Sequence, residues 1–239
     1  MENMGRNAVT VSAVDAACCT DAQKIEGNEV RFRLWIRCDT ADNGVEAGSY
    51  MVAATITGGN VLIKNVIPKH LEPITSKLEK AGATIEEFDD SLRVYRTGDL
   101  EPLNIKTMPH PGFPTDMQPL MTVLLTLAKG TSIITEGIWE NRFRYVDELT
   151  RMGANIQVDG RVAVIEGVQE LLPAPMRAAD LRAGAALVVA ALAADGVSEV
   201  DEICHIERGY EDIVEKLRGL GADIKRVEKP AGVLRQAAL

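Results

Sequence analysis

The sequence predicts an α/β (α+β) protein built from repeats, with apolar helices inside and sheets and amphipathic helices outside. Three observations carry this expectation. The pattern Leu-x-x-x-Gly-Ala-x-Ile occurs three times, with its glycines at Gly82, Gly153 and Gly221, 71 and 68 residues apart. A second glycine precedes a short β-like run in each copy, at Gly59, Gly130 and Gly196, 23, 23 and 25 residues ahead of the first marker. Three runs, 49–56, 117–127 and 181–194, are apolar nearly all round, and a helix of that kind must be buried. Matched markers at a fixed period are the signature of an internal repeat.

Taken in order, residues 30–37 alternate apolar and basic side chains, which predicts a strand with one polar face. The stretch 8–28 has no clear period. Ala41-Asp42-Asn43-Gly44 is a turn signal, and a boundary is placed there. Residues 1–43 form an unassigned lead segment, 44–228 the repeat domain and 229–239 a tail.

Within each unit the apolar helix stops at a glycine, as helices commonly do. Strands follow at 61–66, 132–136 and 198–203. Amphipathic helices come next, at 71–80, 145–151 and 210–220, with a wet face such as Lys77, Glu79 and Lys80. The Gly-Ala stop leads into strands at 83–87, 154–158 and 222–227. Partner strands are expected at 91–96 and 161–166, with none assigned in the third unit.

The 239 residues carry 26 Lys and Arg against 35 Asp and Glu, a net charge of −9, which argues against a general nucleic-acid binder. An anionic small substrate remains compatible, because a few local arginines bind phosphate in an acidic protein. Aromatic residues make up only 4%, so the core is aliphatic. No window approaches the roughly 18–20 apolar residues of a membrane span, and the N-terminus lacks the basic region of a signal peptide. Cys18, Cys19, Cys38 and Cys204 show neither CxxC spacing nor histidine pairing, as expected of reduced thiols in a cytoplasmic protein. Neither a metal nor a cofactor is expected.

The most unusual stretch runs from Met108 to Pro119. Four prolines and Gly112 stiffen a loop that delivers Asp116 to the start of an apolar helix. Two readings stand open: an N-cap, the commoner role, or an acid held for catalysis. The repeat places Glu46 and Asp180 at equivalent helix starts, and His70, Arg142 and Arg208 near the starts of the amphipathic helices. Helix N-termini with arginines beside them build anion pockets. The alternative is that Asp116 and Asp180 cap while the arginines pair with local acids such as Glu140 and Glu207. Arg182, at the mouth of an otherwise apolar helix, is costly unless it meets an anion.

Residues 109–118, Pro-His-Pro-Gly-Phe-Pro-Thr-Asp-Met-Gln, resemble the signature of the UDP-N-acetylglucosamine 1-carboxyvinyltransferases, the enolpyruvyl transferases of peptidoglycan synthesis. So do Thr135-Glu136-Gly137-Ile138-Trp139-Glu140-Asn141-Arg142-Phe143, Asp180-Leu181-Arg182-Ala183 and His205-Ile206-Glu207-Arg208-Gly209-Tyr210, in family order. The resemblance covers roughly 45–227. It implies an inside-out α/β barrel domain of three pseudo-repeats with buried helices, one of two that close over a cleft. It also implies transfer of the enolpyruvyl group from phosphoenolpyruvate to the nucleotide sugar. Asp116 would be the general base, Ile138 would contact the nucleotide sugar, Arg182 and Arg208 would hold phosphoenolpyruvate, and Arg142 would support the pocket.

The chain departs from the family where a Pro-Asp-Arg-Ile-Glu-type entry is replaced by Asp42-Asn43-Gly44-Val45-Glu46, and residues 1–43 match no family motif. The other domain's Lys-Asn pair and reactive cysteine loop have no counterpart. The expected partners are therefore the two small substrates and a complementing N-terminal domain, with no membrane and no nucleic acid. Two alternatives stand beside this reading, a half-enzyme or non-catalytic module and a shikimate-branch enolpyruvyl transferase.

Overall fold

The computed structural model describes the backbone of residues 6–12, 23–25, 29–35 and 43–229 and the side chains of residues 44–227. The chain begins with β1 (Arg6–Ser12), β2 (Gln23–Ile25) and β3 (Glu29–Trp35). The first repeat continues with α1 (Asn43–Thr57), β4 (Asn60–Lys64), α2 (Pro68–Lys80), β5 (Thr84–Glu87) and β6 (Ser91–Tyr95). The second contains β7 (Asn104–Lys106), α3 (Gln118–Leu125), β8 (Thr131–Thr135), α4 (Val146–Arg151), β9 (Asn155–Asp159) and β10 (Val162–Glu166). The third contains β11 (Pro175–Arg177), α5 (Leu181–Ala193), β12 (Ser198–Asp201), α6 (Ile213–Gly219) and β13 (Asp223–Lys229).

Each unit is a parallel β-α-β step, a second helix and an antiparallel pair. The sheet orders show the repeat directly: β3-β4-β6-β5, β7-β8-β10-β9 and β11-β12-β1-β13, with β2 added beside β3. In the third sheet β1 takes the place that β6 and β10 hold in the others. It pairs antiparallel with both β12 and β13, Val9 lying opposite Val200 and Arg226. The third partner strand, which the repeat leaves unassigned, is thus supplied from the start of the chain. β3 pairs parallel with β4, as β7 does with β8 and β11 with β12. Both β1 and β3 come from the stretch 1–43.

The helices α1, α3 and α5 pack on one another in the middle, as their all-round apolar character requires. All eight residues of α3 are buried, and in α5 burial runs unbroken from Arg182 to Leu192. α2 turns Leu71, Ile74 and Leu78 inward, three and four residues apart, and leaves Lys69, Glu79 and Lys80 in water. The Gly-Ala marker now has a conformational cause. Gly82, Gly153 and Gly221 adopt φ of 101°, 86° and 97°, a left-handed region that side chains resist. Each lets the chain leave an outer helix and enter the next strand.

The expected strand at 30–37 is present as β3, its last two positions lying outside the described residues. Cys18, Cys19, Cys38 and the tail beyond Lys229 also lie outside them. No helix among the described residues is long and apolar enough to cross a membrane.

Candidate active site

Asp116 does not cap. It sits in a 3-10 turn, Thr115–Met117, whose N-cap is Pro114, and neither that turn nor α3 has a side-chain cap bond. Its two oxygens are taken by arginines. Oδ1 accepts from Arg142 Nη2 at 3.2 Å and Oδ2 from Arg182 Nε at 3.1 Å. Asp180 does cap, its Oδ1 accepting from the backbone N–H of Arg182 at 2.9 Å and of Ala183 at 2.8 Å. That cap starts α5 and places Arg182 on its first turn, facing Asp116. The local acids are occupied elsewhere: Glu140 with Arg161 at 3.0 Å and Glu207 with Arg226.

The cost of burying Arg182 is thus met by a carboxylate from 66 residues away. Its side chain is 10% exposed, against 20% for Arg142 and 37% for Asp116. The acid is open to a ligand while the cations sit behind it. Below Arg182 lies the Tyr210 ring, 5.7 Å from guanidinium carbon to centroid, a cation–π distance. Burial pushes the Tyr210 hydroxyl above its ordinary value of 10.0. This hydroxyl is 2.7 Å from Ser49 Oγ, which spends its own proton on the Val45 carbonyl at 2.7 Å, so Tyr210 is the donor. Glu46, at the third helix mouth, is buried and bound to Lys216 Nζ at 2.8 Å.

The structure therefore joins Asp116, Arg142 and Arg182 directly. Ile138 is half-buried and donates its N–H to Glu136 Oε1 at 2.8 Å. Arg208 is exposed, two residues before Tyr210, and makes no hydrogen bond or ion pair among the described residues. His110, joined to Pro111 by a cis bond, is exposed. Among the described residues no group of three or more His, Cys, Asp or Glu is placed to hold a metal ion.

The arrangement has a definite chemical capacity. A half-exposed carboxylate can take a proton from a hydroxyl, and the guanidinium groups behind it can hold an anion and stabilise charge as it develops. Sequence reasoning missed Tyr210, Ser49 and Glu136 as contributors. For Glu136 a signal existed: the alternation in β8 that buries Ser132 and Ile134 continues to Glu136.

A family model described as EPSP synthase (3-phosphoshikimate 1-carboxyvinyltransferase) matches residues 14–217. The chain belongs to this family of enolpyruvyl transferases. Among enolpyruvyl-transferase relatives, UDP-N-acetylglucosamine 1-carboxyvinyltransferase 3 of Caldanaerobacter subterraneus subsp. tengcongensis is 57% identical over 226 residues, 95% of this chain and 52% of the relative. A UDP-N-acetylglucosamine 1-carboxyvinyltransferase of Desulfofundulus thermocisternus is 53% identical over 207 residues, 87% of this chain and 85% of the relative. The crystal structure of the enolpyruvyl transferase NikO from Streptomyces tendae superposes with a TM-score of 0.73 at 30% identity, over 78% of this chain and 45% of that one.

The expected inside-out α/β fold with buried helices is thus the family's fold. The chain spans about half the length of the Caldanaerobacter enzyme and of the NikO chain. The family match begins at residue 14, well inside the stretch 1–43, where no motif is legible by eye.

Proposed function

We propose that this chain contributes the Asp116 side of an active site that transfers the enolpyruvyl group from phosphoenolpyruvate to UDP-N-acetylglucosamine. On this reading residues 44–228 are the enolpyruvyl-transferase domain and 229–239 a tail. Within residues 1–43, whose family match begins at residue 14, β1 and β3 add strands to its sheets. Asp116 takes the proton from the sugar hydroxyl as the sugar oxygen bonds to C2 of phosphoenolpyruvate, while the C2–C3 double bond opens and C3 takes up a proton from solvent. Arg182 and Arg208 hold the phosphate and carboxylate, Arg142 supports them, and Ile138 contacts the nucleotide sugar. C3 then loses a proton, the C2–C3 double bond re-forms and the C2–O bond to phosphate breaks, which releases phosphate and leaves the enolpyruvyl ether. Such a reaction belongs to peptidoglycan synthesis in the cytoplasm, and so to cell-wall biogenesis, cell shape and division.

The observation that carries the reading is the Asp116 carboxylate held between Arg142 and Arg182 at the helix mouths. The names of the relatives support the nucleotide sugar over shikimate phosphate as acceptor. Isothermal titration with UDP-N-acetylglucosamine and with phosphoenolpyruvate tests it, and binding of neither ligand overturns it. Competition by shikimate phosphate reports the other branch.

A second reading is a half-enzyme that needs a complementing domain for turnover; the chain spans 52% of the Caldanaerobacter relative and 85% of the Desulfofundulus relative. Phosphate release measured with and without a separately produced family N-terminal domain separates the two. Release by this chain alone removes the need for a partner.

A further inference from the structure

Glu136 is 1% exposed, one residue beyond the end of β8, and no ion pair holds it among the described residues. A buried carboxylate without a cation is costly unless hydrogen bonds satisfy it. Four do. Oε1 accepts from Thr107 Oγ1 at 2.7 Å, from the Ile138 N–H at 2.8 Å and from the Trp139 N–H at 3.2 Å. Oε2 accepts from Thr115 Oγ1 at 2.9 Å. The Gly137 N–H closes the cluster by donating to Thr107 Oγ1 at 2.7 Å. Gly137 has to be glycine, because a Cβ there would lie 2.3 Å from the Thr107 carbonyl oxygen.

Three segments meet on this one side chain: the residue after β7, the proline loop, and the turn after β8. An apolar residue could join them without the desolvation cost. A carboxylate adds direction, since charge-assisted bonds to two successive N–H groups and two hydroxyls fix the orientation of each segment. One of those hydroxyls belongs to Thr115, the residue before Asp116. The two N–H groups belong to Ile138 and to the exposed Trp139 beside it.

We propose that Glu136 is a positioning residue, which sets Asp116 and the Ile138–Trp139 turn in one register so that a nucleotide sugar meets both. This rests on the functional reading above. Misplacement of a positioning group by about 1 Å is enough to cost on the order of a hundredfold.

The test combines NMR hydrogen exchange at the Ile138 and Trp139 amides with calorimetric titration of UDP-N-acetylglucosamine and phosphoenolpyruvate. In Glu136→Ala both amides exchange at least about tenfold faster, because their acceptor is gone. Nucleotide-sugar affinity falls by about tenfold or more. Phosphoenolpyruvate affinity stays within about twofold, as expected for a site not sharing these bonds. Glu136→Gln restores most of both losses: its oxygen still accepts at the Oε1 position, and its NH2 can donate to Thr115 Oγ1. Thr115→Val removes only the arm toward Asp116, so sugar affinity falls while the two amides stay protected.

Unchanged exchange in Glu136→Ala, or equal loss of both ligands, overturns the proposal. If that variant does not fold, Thr115→Val decides, and unaltered sugar binding in it overturns the proposal. A wild-type chain that binds neither ligand overturns the functional reading instead. Amide protection in Glu136→Gln against wild type then decides the positioning role, and its loss in Gln counts against it.

Discussion

Arg182 Nε lies 3.1 Å from Asp116 Oδ2, joining the first turn of α5 to the loop that feeds α3. The contact ties the most buried arginine of the site to a partly exposed carboxylate. Asp116→Asn keeps the shape and removes the charge. It is expected to abolish turnover of the complete active site, a loss of about 10²–10⁴-fold or more for a general base. The fold should survive with some loss of stability: the Asn side-chain oxygen can still accept a hydrogen bond from Arg182, but that buried cation loses its charge partner. Phosphate release and circular dichroism check this. Retained release in the variant removes Asp116 from the role of base.

Tyr210 supports Arg182 from below. Tyr210→Phe keeps the ring and loses the hydroxyl with its bond to Ser49, which costs about 1 kcal/mol in urea denaturation. Tyr210→Ala also removes the platform and a large core side chain, at a cost of about 3–5 kcal/mol. Phosphoenolpyruvate affinity should fall in Ala and hold in Phe. Equal affinities in the two variants would show that Arg182 needs no ring beneath it.

Glu46 and Lys216 are a buried pair joining α1 to α6 across 170 residues, with side chains 7% and 16% exposed. Lys216→Met strands the carboxylate and is expected to cost about 3–5 kcal/mol. The double variant Glu46→Leu/Lys216→Met should recover most of that, since a well-packed apolar pair is often no worse than a buried ion pair. Chemical denaturation of the wild type, Glu46→Leu, Lys216→Met and the double variant completes the cycle. Additive losses would show that the pair does not act as a unit.

Three of the four tyrosines, Tyr50, Tyr145 and Tyr210, hold their protons above the ordinary value of 10.0, in each case first because burial disfavours the anion. Glu46 adds to the rise at Tyr50, while the hydrogen bond shared with Ser49 and the charge of Arg182 moderate it at Tyr210. The unfolded chain releases these protons near pH 10 and the folded chain keeps them. The folded state then binds more protons, so stability is complete below pH 10 and declines as pH rises above it. A melting temperature that falls from pH 9.5 to pH 11, with a shallower fall in Tyr145→Phe, is the expected result. Tyrosinate absorbance appearing in full near pH 10 without unfolding would contradict it.

Much of this architecture is legible in the chain because it recurs. The markers at Gly82, Gly153 and Gly221 reflect one backbone requirement met three times, and the three apolar runs can be helices only if buried. The strands β7 and β11 escaped notice because each is three residues long, too short for alternation to register. β1 escaped because its partners lie near the other end of the chain. Period and composition describe neighbours in sequence and are silent on pairing between residues as far apart as Arg6 and Lys229.

The site divides the same way. By itself the sequence determined the repeat, the buried helices, the stiff loop before Asp116 and the four motifs that point to enolpyruvyl transfer. Only the tertiary structure set aside the cap reading of Asp116, by placing an arginine on each of its oxygens. That choice depends on where Arg182 and Arg142 arrive, 66 and 26 residues away. It also showed that Asp180 caps, that Tyr210 lies beneath Arg182, and that Glu136 gathers three segments on one buried carboxylate. The physical reason is the range of the forces. Propensity and periodicity act within a turn or a strand, whereas a charge or hydrogen bond is satisfied by whichever group packing brings within about 3 Å.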